Sequence, residues 1–248
     1  MGKMLELKIL GKKIVDRIYE DRFSCMVCHN ELVETNRYGL CKDCLEEIAF
    51  IKNNKVCSKC GKPIDNESDY CLTCQNNDRY FNRNTSPLAY KGKVIDLIIN
   101  YKYKYRRYLG KYLATFMIDQ YIDARYDADI IVPIPSTTLT AKKRGFDHII
   151  ELSEIMSERL KIPVASDVII KVKETERQAL LGGKARQENV LGAYKLCGDI
   201  RDKKVLLIDD ILTTGATLSE VSRTLLKGKP RNIEGLTLAN AEYKLYLA

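Results

Sequence analysis

The spacing of hydrophobic residues along the chain changes twice. From about Leu5 to Tyr19, the residues Leu7, Leu10, Ile14 and Ile18 recur every three or four positions, which predicts an amphipathic helix. From Cys25 to Cys74 the pattern is cut into short pieces by cysteines. The polar stretch Arg83 to Pro87 then suits a domain boundary. After it, helical and continuous apolar segments alternate. Val94 to Ile122 is mostly helical in pattern, and Asp129 to Ile134 is an apolar strand stopped by Pro135. Asp147 to Leu160 predicts a helix and Val168 to Val172 a strand. Val205 to Ile208 predicts a strand, followed by a helix from about Ala216 to Leu226 and a last strand from Ile233 to Ala239. Near-continuous apolar strands joined by helices predict an α/β fold, with a parallel sheet flanked by helices on both faces. Lys173 to Asn189 has no sustained period and reads as a long loop, of a kind more often functional than idle. The organisation is therefore a helix plus cysteine-rich module over residues 1–84 and an α/β domain over 85–248.

At 248 residues, 45% hydrophobic and 30% charged, the chain has material for a buried core. No apolar run approaches the length that crosses a bilayer. The basic, amphipathic amino terminus lacks a signal-peptide core, so a cytoplasmic protein is expected. In that reducing compartment cysteines favour metal over disulfides. Eight of the nine fall before residue 75 as Cys25/Cys28, Cys41/Cys44, Cys57/Cys60 and Cys71/Cys74, with twelve, twelve and ten residues between pairs. A Cys-x-x-Cys turn puts two thiolates on one metal, and two such turns close a tetrahedral site. Eight thiolates predict two structural zinc sites. Sequential pairing is expected, the first two pairs on one ion and the last two on the other. An interleaved or nested arrangement fits the spacing nearly as well, and an iron–sulfur cluster is the less favoured chemistry. His29 reads as a surface histidine rather than a substitute ligand, and Cys197 stands alone.

The most specific motif runs from Val205 to Thr217. Four apolar residues make a buried strand, and Asp209 and Asp210 lie at its carboxyl end, where open parallel sheets bind ligands. Carboxylates accept hydrogen bonds from a ribose diol. The loop Thr213, Thr214, Gly215, Ala216, Thr217 then enters a helix, and its free amides and hydroxyls form a seat for phosphate. A P-loop ATPase is excluded, because neither Gly-Lys-Ser nor Gly-Lys-Thr occurs in the chain. The motif resembles the phosphoribosyl pyrophosphate signature of type I phosphoribosyltransferases.

The resemblance extends over nearly the whole chain to the ComF family of competence proteins. It is carried by the paired cysteines, Lys102-Tyr103 after an apolar helix, the strand ending Val132 to Pro135 and Arg144-Gly-Phe146. The series Thr175, Gln178, Leu181, Arg186 and Asn189 and the signature at Asp209-Asp210 complete it. Family members usually continue Arg-Gly-Phe with Asn-Gln, where this chain has Asp147-His148. The resemblance implies handling of incoming single-stranded DNA in natural transformation, with a competence helicase and recombination proteins as partners. It also implies phosphoribosyl pyrophosphate, or a related sugar phosphate, bound with magnesium.

The remaining basic residues add candidates. Lys142, Lys143 and Arg144 follow the Ile130–Pro135 strand and are placed to hold a departing pyrophosphate; a solvated basic turn explains the two lysines equally well. Arg177, Lys184 and Arg186 would bring positive charge if the Lys173–Asn189 loop closed as a lid. Between Lys91 and Lys111 seven basic residues face one acid, Asp96, within a chain of net charge +8. There Lys102, Lys104, Arg106 and Arg107 alternate with tyrosines, as in single-strand binders that stack bases and pair phosphates. Helical spacing favours packing for the tyrosines, since Leu97, Tyr101, Tyr105 and Tyr108 share one face.

Three functions are compatible with these residues. The first is a ComF-like binding protein for phosphoribosyl pyrophosphate that handles single-stranded DNA. The second is an active phosphoribosyltransferase that moves ribose 5-phosphate to a nucleobase-like acceptor and releases pyrophosphate. The third is a ligand-sensing regulator. No general base for an acceptor stands out, so ligand binding is legible and turnover is not.

Overall fold

The computed structural model describes residues 24–34, 36–51, 55–64, 67–104, 106–135, 146–173 and 189–241. The helix expected from Leu5 to Tyr19 lies outside them. The described chain opens with two cysteine knuckles. In each, the first Cys-x-x-Cys pair sits in a turn and the second pair opens a short helix, α1 (Lys42–Glu46) and α2 (Leu72–Asn76). Cys41 caps α1 through its sulfur, which accepts from the Cys44 amide at 3.4 Å. Two brief strands follow, β1 (Asn84–Thr85) and β2 (Leu88–Ala89), and then the helix α3 (Lys93–Tyr103). A 3-10 turn (Arg107–Leu109) leads into α4 (Gly110–Asp123). The stretch Val94 to Ile122, expected to be mostly helical, is so in two helices joined by that turn. Gly110 lets the second begin against the end of the first, because a Cβ there would come within 3.2 Å of the Tyr101 ring.

The chain continues through β3 (Ile130–Pro133), α5 (His148–Leu160), β4 (Ile169–Lys171) and β5 (Tyr194–Leu196). It closes with β6 (Lys204–Leu212), α6 (Ala216–Leu225) and β7 (Asn232–Asn240). Among the described residues β3, β6 and β7 lie side by side in that order, and β1 and β2 both add to the far edge of β7. All these pairings are parallel. β4 and β5 form a separate antiparallel pair. The expected parallel α/β architecture is what the chain adopts.

Alternation along β6 explains how four consecutive apolar residues are all buried. Leu206 and Ile208 enter a core built with α3, α4 and α5, while Val205 and Leu207 enter a second core beneath α6. The cysteine knuckles divide between these cores. Cys25, Leu40 and Cys44 pack on the α4 side, where the Tyr38 ring stacks on Phe116 with centroids 4.3 Å apart. Cys57, Cys60 and Ile64 pack on the α6 side. The second knuckle meets β1 closely: the Asn84 amide donates to the Lys59 carbonyl at 2.8 Å. Gly61 has φ +71°, and a Cβ on it would lie 2.8 Å from the Asn84 carbonyl oxygen. The expected boundary at 84/85 falls inside β1, a strand already paired with β7. No helix among the described residues is long and apolar enough to cross a membrane.

Candidate functional site

Strand lengths expose the acids. β3 pairs with β6 only as far as Pro133 and Ile208, whereas β6 and β7 stay paired to Leu212 and Asn240. The strand expected to stop at Ile208 therefore runs on through Asp209 and Asp210, held by β7, and among the described residues no strand pairs with its β3 side from Asp209 onward. Alternation turns Asp210 towards the α3 and α5 face and Asp209 towards the α6 face.

Asp210 is clasped by two nitrogens. Its Oδ2 lies 2.5 Å from Lys102 Nζ at the end of α3 and 2.6 Å from His148 Nε2 at the start of α5. The Asp210, Lys102 and His148 side chains are 16%, 13% and 4% exposed. Burial by itself pushes the Asp210 carboxyl up, but the Lys102 charge and the His148 contact outweigh it and hold the group well below the usual carboxylate range. Asp209 moves the other way. Burial, and then the neighbouring Asp210 charge, push its carboxyl up, although its Oδ1 accepts from the Asp210 amide at 2.8 Å. The pair thus combines an ionised acceptor with a carboxyl biased towards holding its proton.

The loop beyond the strand is shaped by one residue. Gly215 has φ +72° and occupies the N-cap of α6 without any side-chain cap. A Cβ there would meet Arg79 at an ordinary 3.5 Å, so the left-handed backbone rather than lack of room selects glycine. Thr214 Oγ1 accepts from the Ala216 amide at 3.4 Å. The Thr214 carbonyl accepts from Arg79 Nη2 at 2.7 Å, across 135 residues of sequence. Thr213, Thr214 and Thr217 are half-buried, and Gly215 and Ala216 are buried. Two carboxylates at an open strand end beside an amide-rich helix start can together take a sugar and an anion.

The four basic residues of the Tyr101–Tyr108 segment are not on one surface. Lys102 turns inward to Asp210. Arg107 Nε donates to Glu151 Oε1 at 2.8 Å, and Arg106 Nη1 lies 3.0 Å from His29 Nε2. Lys104 is exposed. Tyr101 is buried, and its hydroxyl donates to Glu151 Oε2 at 2.9 Å, which fits packing. Tyr105 lies outside the described residues, as do Lys142, Lys143, Arg144, Arg177, Lys184 and Arg186.

The eight cysteines form two clusters in sequential pairing: Cys25, Cys28, Cys41 and Cys44, then Cys57, Cys60, Cys71 and Cys74. Within each, all four sulfurs lie within 4.8 Å of one another. Cys28 and Cys41, like Cys60 and Cys71, have sulfurs 3.7 Å apart. Four sulfurs at about 2.3 Å from a zinc ion are separated by about 3.8 Å, so both clusters fit a closed tetrahedral zinc site. Lys93 Nζ donates to Cys44 Sγ at 3.2 Å and pairs with Glu47 at 2.8 Å.

The double zinc ribbon domain family matches residues 14–75, and the phosphoribosyl transferase domain family matches residues 113–245, more than half of the chain. The chain belongs to the phosphoribosyl transferase domain family. Along its length it is similar to competence protein F of Haemophilus influenzae, 27% identical over 88% of this chain and 97% of that protein. It is 24% identical to the DNA utilization protein YhgH of Escherichia coli K12, over 82% of this chain and 90% of the relative. It is 25% identical to competence protein ComFC of Bacillus subtilis, over 80% and 83% of the two chains. The ComF resemblance read from the sequence therefore holds.

Within the matched phosphoribosyltransferase segment lie Asp209, Asp210 and the Thr213–Thr217 loop; Lys102 and Arg79 lie outside it. Three residues at the site were not legible as such. Arg79 carried no motif. Lys102 stands in the sequence as part of the Lys102-Tyr103 pair of the family resemblance and as a nucleic-acid candidate, and His148 as a departure from the family's Asn-Gln; neither reading places it at the acids. In the structure Asp147 caps α5 by accepting from the Ile149 and Ile150 amides at 2.9 and 3.3 Å. That cap sets His148 in the first turn, pointing at Asp210. A histidine one residue after a capping aspartate, on a helix that covers the acid-bearing strand, is the signal that was available.

Proposed function

We propose that this protein binds phosphoribosyl pyrophosphate, or a closely related sugar phosphate, at the end of β6. The observation that carries the reading is the juxtaposition of a split carboxylate pair, Asp209 and Asp210, with the Gly215 loop at the open side of the sheet. In this reading the ribose hydroxyls meet the two carboxylates and the 5′-phosphate rests on the amides of Thr213 to Thr217. Magnesium would join at the carboxylates, whose hard oxygens suit it, and would neutralise the pyrophosphate. Lys102 and His148 hold Asp210 ionised and ready to accept.

The relatives' names, competence proteins and a DNA utilization protein, support a ComF-like role in DNA uptake. For single-stranded DNA the reading rests on Lys104, Arg106 and the exposed Tyr103, since Lys102 and Arg107 are engaged with acids. Changing Lys104 and Arg106 to Ser is expected to lower oligonucleotide affinity and flatten its salt dependence. An unchanged salt slope removes this part of the proposal.

The sugar-phosphate reading is tested by thermal shift and pyrophosphate release with a series of ligands in magnesium. Phosphoribosyl pyrophosphate and ribose 5-phosphate are expected to stabilise the protein, and Gly215→Val to abolish both effects. Stabilisation that survives Gly215→Val refutes the loop assignment. Release that depends on an added nucleobase turns the binding protein into a transferase and identifies its acceptor.

A further inference from the structure

Arg79 stands in the chain behind the second zinc ribbon, yet its guanidinium touches the phosphate loop. We infer that Arg79 is a positioning residue for that loop and that the second cysteine cluster holds it in place. The inference rests on the reading of Thr213 to Thr217 as a phosphate seat, and it extends that reading to the ribbon half of the chain.

In a planar trans peptide the carbonyl and the following N–H point in opposite directions. Arg79 Nη2 holds the Thr214 carbonyl at 2.7 Å, so it aims the Gly215 amide away from itself, to the other side of the loop. Gly215 has no Cβ to restrict this peptide, and the side-chain bond at the helix start, from the Ala216 amide to Thr214 Oγ1, is long at 3.4 Å. The charged hydrogen bond from Arg79 is the outside brace. Arg79 is half-buried, and its Nε is shielded from solvent.

The brace is itself strung between two anchors. On one side is Cys74, five residues earlier, a member of the second cysteine cluster. On the other are Phe81, fully buried, and Asn82, whose amide donates to the Ile233 carbonyl at 2.7 Å. Between them the segment does not lie flat on α6. It touches α6 through the Tyr80 amide, which donates to Ser219 Oγ at 3.5 Å, and a cavity of about 250 Å³ opens beside that contact, lined by Asp78, Arg79, Ala216 and Arg223 among others. Arg79 is thus held from both ends of its segment as well as by the long contact at Ser219, and a metal ion that ties Cys74 to Cys57, Cys60 and Cys71 supplies one of those ends.

Hydrogen exchange of the loop amides tests this without any ligand. In the zinc-loaded protein, Arg79→Gln is expected to speed exchange at residues 213–217 and to leave the metal content unchanged. Its affinity for ribose 5-phosphate should fall about tenfold, the size of one lost charged hydrogen bond, with affinity for inorganic pyrophosphate kept. Arg79→Lys should recover part of the loss. Cys71→Ser with Cys74→Ser should speed exchange in the same loop, and Cys25→Ser with Cys28→Ser should not. If the cysteine variants do not fold, Arg79→Gln decides alone. Wild-type exchange and wild-type ribose 5-phosphate affinity in Arg79→Gln overturn the inference. Faster exchange in a protein that never binds ribose 5-phosphate overturns the phosphate reading and leaves the positioning role standing.

Discussion

Asp209 and Asp210 are adjacent and chemically identical, yet replacing each by Asn is expected to have opposite consequences for stability. Asp210→Asn removes the charge between Lys102 and His148 and strands an ammonium that is only 13% exposed. Removing one partner of a fully buried ion pair costs about 3–5 kcal/mol. Here both side chains keep some solvent, and the Asn carbonyl still accepts one hydrogen bond, so about 2–3 kcal/mol is expected. For a chain of this length each kcal/mol moves the melting temperature by about 2–4 °C, which gives a drop of about 4–12 °C. Asp209→Asn swaps a carboxyl already pushed towards its neutral form by burial and by the Asp210 charge for a neutral isostere. Its effect should stay within about 1 kcal/mol and lean towards stabilisation. The pH dependence follows from the same directions. Asp209, raised in the folded state, makes the native protein bind the extra proton, so its contribution declines as pH rises from about 4. Asp210, depressed, contributes above about pH 4 and loses that contribution as pH falls. Melting curves of wild type and both variants between acid and neutral pH measure this. Asp210→Asn as stable as wild type, or Asp209→Asn the more damaging of the two, refutes the assignment of charges.

Other parts of the structure yield shorter predictions. Gly61→Ala forces a left-handed Ala against the Asn84 carbonyl and should cost about 2–3 kcal/mol, seen in denaturant melts as loosening of the second ribbon. Tyr101→Phe removes the hydroxyl that bridges Glu151 and the His148 carbonyl at 2.9 and 3.1 Å, at a cost of about 1–2 kcal/mol by the same assay. Elemental analysis of purified protein should find two zinc ions per chain, and Cys57→Ser with Cys60→Ser should reduce this to one. Chelation should destabilise the chain, because metal binding to such knuckles is folding free energy.

What was legible in the sequence was local. The Val205–Ile208 run, the acids after it and the glycine-led turn into α6 lie within thirteen residues, and their spacing carries its own chemistry. The cysteine pairs were equally plain, although spacing left their pairing open until both knuckles were seen to close on themselves. What escaped depends on distance along the chain. β1 and β2 are two residues each and exist only because β7 offers an edge. The length of β6 beyond Ile208 was hidden because Asp209 and Asp210 are poor strand formers held there by β7 alone. Lys102 stood out in the sequence only through the family resemblance and the basic, tyrosine-rich run, both silent about the acids. Only the packing of α3 over the sheet turns it to Asp210. Arg79 reaches Thr214 from a segment with no pattern of its own, and nothing local could announce it.

The central claim is a sugar-phosphate site at the end of β6. Equilibrium binding of labelled phosphoribosyl pyrophosphate with magnesium, to wild type and to the Asp209→Asn, Asp210→Asn double variant, tests it most directly. One saturable site per wild-type chain is expected and none in the double variant, with the variant still folded by circular dichroism. A wild-type chain that takes up no ligand, or a double variant that binds as well as wild type, contradicts it.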